Sequence, residues 1–173
     1  MTNVQESLDK LTAPATLFEQ LPDGAVRCFA CAHRCLIKPG RRGICQVRFN
    51  RDGELRLPWG YVAALQIDPI EKKPFSHFLP GSDALSFGML GCDFHCGYCQ
   101  NWLTSQTLRD PRADAGIYGV RETSPEELVS IAERKNARIL VSTYNEPLIT
   151  TEWAVAIFKK AKEAGMDLSL IHI

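Results

Sequence analysis

Three cysteines fall within eight residues of the segment GCDFHCGYCQNW, Gly91–Trp102: Cys92, Cys96 and Cys99, separated by gaps of three and two residues. Four more, Cys28, Cys31, Cys35 and Cys45, occupy CFACAHRCLIKPGRRGIC with gaps of two, three and nine. Seven cysteines, an odd number in two tight clusters, read as metal ligation by thiolates rather than as a disulfide framework. A closed structural zinc site takes four ligands. Three thiolates from one short loop on a 4Fe-4S cluster leave one iron with an open position, which a substrate or cofactor can take. The missing fourth cysteine is therefore itself the clue. His95 could complete a zinc site, but it directly precedes Cys96, and ligation by both neighbours is strained.

The first cluster has the four thiolates that a closed site needs. They suit either tetrahedral zinc or a second, fully ligated iron–sulfur cluster, and the spacing does not separate the two. Between Arg27 and Arg51 there are seven Lys/Arg and no Asp or Glu, a local excess that can offset the charge of four thiolates. The same excess admits a basic, zinc-type nucleic-acid-binding ribbon, against which stands the formal net charge of zero for the whole chain. A third reading makes both cysteine clusters structural, in a metal-binding interaction module without catalysis. His33 reads as a surface histidine or one supporting a ligand, and His77 as a loop histidine. Lys72 and Lys73 read as solvated charges, and none of these four is assigned to a site.

The elements that must carry these loops follow from local pattern. Residues 4–20 read as an amphipathic helix broken near Pro14. QVRFNRDGELRLPW reads as a hairpin whose Arg-Asp-Gly turn supplies a residue tolerant of positive φ. DPIEKKPFSHFLPGSD, with three prolines, reads as a linker over residues 68–83. ALSFGML is a buried-type strand that runs straight into Gly91 and the second cysteine cluster. SPEELVSIAERKN carries helix start signals: Ser124 as N-cap, Pro125 in the first turn, Glu127 to close a capping box. ARILVST is a second strand. Trp153, Ile157, Ala161 and Ala164 recur at helical spacing before a stop at Gly165. Strand, helix, strand, helix predicts parallel βα units in an α/β fold. The organisation expected is a helix, a metal-binding region of four cysteines and a hairpin over 1–67, the linker, and βα units over 84–173.

Within 173 residues no run approaches the roughly 20 apolar residues of a membrane span. The N-terminus lacks the basic and apolar regions of a secretory signal. Both observations, with the reduced-thiol reading, predict a cytoplasmic protein without a membrane partner.

The pattern C-x-x-x-C-x-aromatic-C, carried by Cys92, Cys96, Tyr98 and Cys99 after a first strand, resembles the radical S-adenosylmethionine (radical SAM) superfamily. CQNW after it, DPIEKKPFSHFLPG before it and STYNEP after the second strand are similar to the AmmeMemoRadiSam system radical SAM enzymes, relatives of the activating enzymes of glycyl-radical proteins. The resemblance runs from about Cys28 to Gly165. It implies a partial (βα) barrel, and a 4Fe-4S cluster on Cys92, Cys96 and Cys99 whose unique iron is chelated by S-adenosyl-L-methionine. It implies further that Tyr98 lies by the adenine and that Asn145 and Glu146 contact the methionyl group. For Glu146 the bland alternative is an acidic residue at a helix N-terminus. An electron donor of flavodoxin or ferredoxin type and a substrate of unknown identity, such as a protein, are implied as partners.

The superfamily core has about six βα units, and this chain reaches only the second, so the expected fold is a truncated barrel preceded by a small Cys-rich region. The last six residues, LSLIHI, read as the translation of a sequencing-adapter end. The expectation is an N-terminal gene fragment in which 168–173 are an artificial tail, His172 is no ligand, and the piece itself turns nothing over.

Overall fold

The computed structural model describes residues 4–170. Chain order begins with α1 (Val4–Lys10), β1 (Thr12–Pro14), β2 (Phe18–Gln20), β3 (Val26–Cys28), β4 (Leu36–Ile37), β5 (Phe49–Arg51), β6 (Glu54–Pro58), β7 (Tyr61–Val62) and β8 (Ala64–Pro69). It continues with β9 (Asp83–Gly88), α2 (Trp102–Ser105), β10 (Arg121–Glu122), α3 (Pro125–Arg134), β11 (Ile139–Tyr144), α4 (Thr151–Glu163) and β12 (Asp167–Leu170).

The main sheet has four strands in the order β12-β11-β9-β8. β9, β11 and β12 are parallel, joined by crossovers that contain α3 and α4, and β8 closes the sheet antiparallel. The central strands β9 and β11 are largely apolar on both faces because both faces are covered. Leu85, Phe87 and Leu140 pack with Leu128 and Ala132 of α3 and Trp153, Ile157 and Ala161 of α4. Ala84, Ile139 and Val141 meet Ile70, Phe75 and Leu79 on the other face. The helices amphipathic in sequence thus bury the stripe that their spacing defines. Ser124 caps α3 by accepting from Glu127 N at 3.1 Å. Glu127 does not close the box: its carboxylate takes the Thr123 hydroxyl at 3.0 Å and Arg121 at 2.7 Å. Among the described residues the sheet is open, with β8 and β12 as edges. β12 is a third parallel strand beyond the two expected from the sequence. No helix of the described residues is long and apolar enough to cross a membrane.

The N-terminal part is built from two small antiparallel sheets, β1-β6-β5 and β2-β3-β4. The hairpin β5–β6 closes through Asp52 and Gly53, both at positive φ, the geometry that a two-residue turn between right-twisted strands needs. The reading of residues 4–20 as one interrupted helix is overturned. The helix ends at Lys10, and Thr12–Pro14 pairs with Pro58–Arg56 instead. Pro14 has no N–H to give a helix or a central strand, but an edge strand such as β1 tolerates it. Residues 68–83 are also more than a linker. β8 runs on to Pro69, which pairs with Asp83, and a 3-10 turn (Ile70–Lys72) follows. Ile70 is fully buried, and the Glu71 carboxylate accepts from Gly81 N at 2.7 Å. The segment is a packed cover over the second sheet face.

The two parts share a core. Leu8, Tyr61 and Val62 lie in the same cluster as Trp153, and Trp59 meets Trp153 edge-on at 5.0 Å. Arg48, 2% exposed in its side chain, forms an ion pair with Glu152 and donates to the Ile149 carbonyl at 2.7 Å.

Candidate functional site

The Cys92–Cys99 loop begins where β9 ends. Met89 and Leu90 remain buried, and the chain then turns at Gly91, whose φ of 93° and close packing both require glycine. A Cβ there would stand 2.5 Å from a Val47 methyl. The return path is fixed by α2 and the segment after it. Gly91 N donates to Thr104 O at 2.9 Å, and Gln106 Nε2 and Arg109 Nη1 donate to Phe94 O at 3.2 and 2.8 Å. Cys92 is buried, Cys99 half-buried and Cys96 exposed. Phe94 N points at Cys92 Sγ (3.4 Å), and Cys99 Sγ lies 3.4 Å from Ser105 Oγ. Burial pushes the Cys92 thiol up, and the Asp93 and Glu146 carboxylates add to the rise while Arg109 opposes it. A bound cation reverses that balance and ionises a coordinating thiol.

β11 ends beside this loop, because its register with β9 brings Tyr144 against Gly88. The approach is so close that a Cβ on Gly88 would overlap the Tyr144 carbonyl oxygen. Asn145 follows and spends its side chain on the protein. Its Nδ2 donates to Met89 O and Gly91 O, both at 3.2 Å, and its Oδ1 accepts from Thr104 Oγ1 at 2.9 Å. The residue singled out for a cofactor contact is thus a clamp across the root of the cysteine loop. Glu146, 5% exposed, caps the 3-10 turn Pro147–Thr150 by accepting from Leu148 N at 3.0 Å. Tyr98 is 89% exposed and projects away from the protein. Lys72 and Lys73 both pair with Asp68; Lys72 is the solvated charge expected, whereas Lys73 is 11% exposed in its side chain and lies over the Tyr144 ring at 5.5 Å, so the solvated reading does not hold for it.

The four N-terminal cysteines come together. Cys28, Cys31, Cys35 and Cys45 line one cavity of about 10 Å³, walled by Ile37, Gly43 and Ile149. Cys28 and Cys35 are joined across β3 and β4 by Cys28 N to Cys35 O at 3.0 Å. Burial drives the Cys31 thiol up to about 12 and raises the Cys45 thiol.

The two cysteine regions also abut. His33 Nε2 stands 3.6 Å from Asp93 Oδ2, and its ring meets Phe94 edge-on at 6.3 Å. Arg109 bridges them, holding the Phe94 carbonyl with one nitrogen and the Ile44 carbonyl with the other. Asp93, Arg109 and Thr104 were not candidates from the sequence. Asp93 had a faint signal, as a carboxylate inside a cysteine motif; it is 6% exposed and its Oδ1 has no hydrogen-bond partner among the described residues. Arg109 and Thr104 had none.

Among the described residues no three His, Cys, Asp or Glu side chains stand in a ready coordination sphere. In donor type and number, however, Cys92, Cys96 and Cys99 suit an iron–sulfur cluster with an open iron. A backbone N–H already faces the innermost sulfur, and such N–H···S contacts accompany thiolate ligation.

Comparison with known proteins gives one relative of note. An uncharacterized protein of Methanocaldococcus jannaschii is 41% identical over 153 residues, a match covering 88% of this chain and 44% of the relative. The chain thus spans less than half the length of that relative. No family model matches the chain, and no solved structure does.

Proposed function

We propose that the parent protein is a radical SAM enzyme, with the 4Fe-4S cluster on Cys92, Cys96 and Cys99 and the described strands forming the start of a partial (βα) barrel. The observation that carries this reading is the loop of three cysteines at the C-terminal end of β9, beside the Asn145–Glu146 segment at the C-terminal end of the parallel neighbour β11. In parallel βα architectures, ligands and reacting groups gather at that end of the strands. When bound, the reduced cluster and S-adenosyl-L-methionine supply a 5′-deoxyadenosyl radical that abstracts hydrogen from the substrate.

The protein's own residues hold and shield. Asn145 fixes the entry of the loop by taking the Met89 and Gly91 carbonyls together. Glu146 is the carboxylate offered to the methionyl ammonium, since a cation leaving water needs a paired anion. Gln106 and Arg109 hold the middle of the loop at the Phe94 carbonyl. Tyr98, outside the packed core, reaches the adenine once the nucleotide is seated. An electron donor of flavodoxin or ferredoxin type docks on this exposed loop, and the protein works in the reducing cytoplasm. Against the nucleic-acid reading, three of the seven basic residues of the stretch, Arg27, Arg42 and Arg48, are paired with Glu19, Asp9 and Glu152.

The test is anaerobic iron–sulfur reconstitution followed by assay for reductive cleavage of S-adenosylmethionine, with Cys96→Ala as control. Formation of 5′-deoxyadenosine that vanishes in the variant supports the reading. A full cluster without cleavage overturns it in favour of a structural or electron-transferring role.

A further inference from the structure

We infer that Cys28, Cys31, Cys35 and Cys45 form a closed, mononuclear zinc site that fastens the N-terminal region against the Cys92–Cys99 loop. The inference is independent of the radical reading, since it uses none of that loop's cysteines.

Three observations carry it. The first is enclosure: all four sulfur-bearing residues line a single cavity, although they are spread over 18 residues of sequence, one in β3 and three in the loops after it. Its volume of about 10 Å³ matches one small sphere of roughly 10–15 Å³, the room that a water-sized body needs. The four thiols do not yet stand in a coordination sphere, and an ion held by four thiolates at about 2.3 Å requires them to turn into that space. A cubane of eight iron and sulfur atoms would have to push the walls apart, and those walls include fully packed Ile37 and Ile149 at 1% and 2% exposure.

The second observation is that backbone N–H groups lie beside three of the sulfurs, one of them within hydrogen-bond reach. The His33 amide lies by Cys31, and the Val47 and Arg48 amides lie by Cys45. Ile44 N lies 3.5 Å from Cys35 Sγ. Donors two or three residues past a cysteine are what a metal-bound thiolate requires to spread its charge. A neutral thiol is only a weak acceptor and gives the backbone little reason to turn this way. The turns come at a backbone cost: Arg34, before Cys35, and Gln46, after Cys45, are non-glycine residues at φ of 46° and 65°. Gly43 completes the cradle, for a Cβ there would lie 3.6 Å from Cys35 Sγ and 3.3 Å from an Ile37 methyl.

The third is charge. Zinc on four thiolates carries two net negative charges, and the stretch that supplies them has seven Lys/Arg and no Asp or Glu, with Arg48, itself paired with Glu152, by Cys45 and the Asp93 carboxylate by Cys31. The location gives the ion its purpose. Its loops contribute His33, Ile44 and Val47, which meet Asp93, Arg109 and Gly91 around the other cysteine loop.

The test measures metal in protein whose other cluster cannot form. The triple variant Cys92→Ala, Cys96→Ala, Cys99→Ala is purified and its zinc, iron and acid-labile sulfide are determined, and zinc is exchanged for Co(II) to record the visible spectrum. The expected result is a single zinc per chain, no sulfide, and the intense absorption of tetrahedral cobalt on sulfur. Adding Cys31→His should retain the zinc and shift that absorption to shorter wavelength, as one sulfur is replaced by nitrogen. Iron and sulfide in the triple variant would overturn the inference in favour of a second cluster. Metal-free protein that still unfolds cooperatively, with all four thiols open to alkylation, would overturn it altogether. Neither result bears on S-adenosylmethionine cleavage, so the two readings fail separately.

Discussion

Asn145→Ala separates two roles that the sequence could not. If the side chain serves only a cofactor, its removal leaves the ligand-free protein as stable as before. The structure gives it three hydrogen bonds within the protein, to Met89 O, Gly91 O and Thr104 Oγ1. Each is worth about 1 kcal/mol net, and a carbonyl left buried without a partner costs about as much again. Asn145 is half-buried, so water can recover part of the loss. The expected destabilisation is then about 2–3 kcal/mol, read from urea unfolding of metal-free protein. Asn145→Asp should be worse than Ala, since it presents an oxygen where two carbonyl oxygens expect a donor. Amide exchange at residues 89–92 should quicken in both variants, reporting a loosened loop root. Unchanged stability and exchange in the alanine variant would refute the clamp and return Asn145 to a role in ligand contact.

Other expectations test the frame around the site. Arg48→Met leaves the Glu152 carboxylate, 12% exposed, without its cation, and should cost about 3–5 kcal/mol in chemical denaturation, whereas Arg48→Met with Glu152→Met should recover much of that. Burial by itself raises the Glu152 carboxyl, but the hydrogen bond and charge of Arg48 outweigh it and hold the group below its ordinary value. A depressed carboxylate stabilises at pH above its unfolded value and loses that contribution as pH falls through the lower folded one. Melting temperature should therefore fall more steeply below about pH 4.5 in the wild type than in Glu152→Gln. Gly88→Ala drives a Cβ against the Tyr144 carbonyl, a backbone atom that cannot step aside, and should weaken the β9–β11 pairing by more than about 2 kcal/mol as seen in thermal unfolding.

Much of the frame was readable from local pattern. Ser124-Pro125 fixes the start of α3, because a cap hydroxyl and a proline act through atoms a few residues away. The hairpin turn at Asp52-Gly53 and the stop at Gly165 (φ 75°) are equally local. The misreading of residues 12–20 has the opposite cause. Those residues have enough apolar spacing for a helix, but they become strands because β6 and β3 offer edges to pair with. Residues 68–83 look like a linker by their prolines, yet Ile70 finds a hydrophobic face far along the chain, on β9 and β11.

Which cysteines fall together, and in what groups, is already written in the order of amino acids, since spacing along a loop is a covalent property. So is the place where the helices and parallel strands begin. Folding in three dimensions adds that Asn145 clamps Gly91, that Arg109 ties the two cysteine regions together, and that Arg48 pairs with Glu152 across 104 residues. Those choices depend on which surfaces meet when the core closes. A side chain's partner is then set by packing and desolvation between distant segments, which no local pattern of residues records.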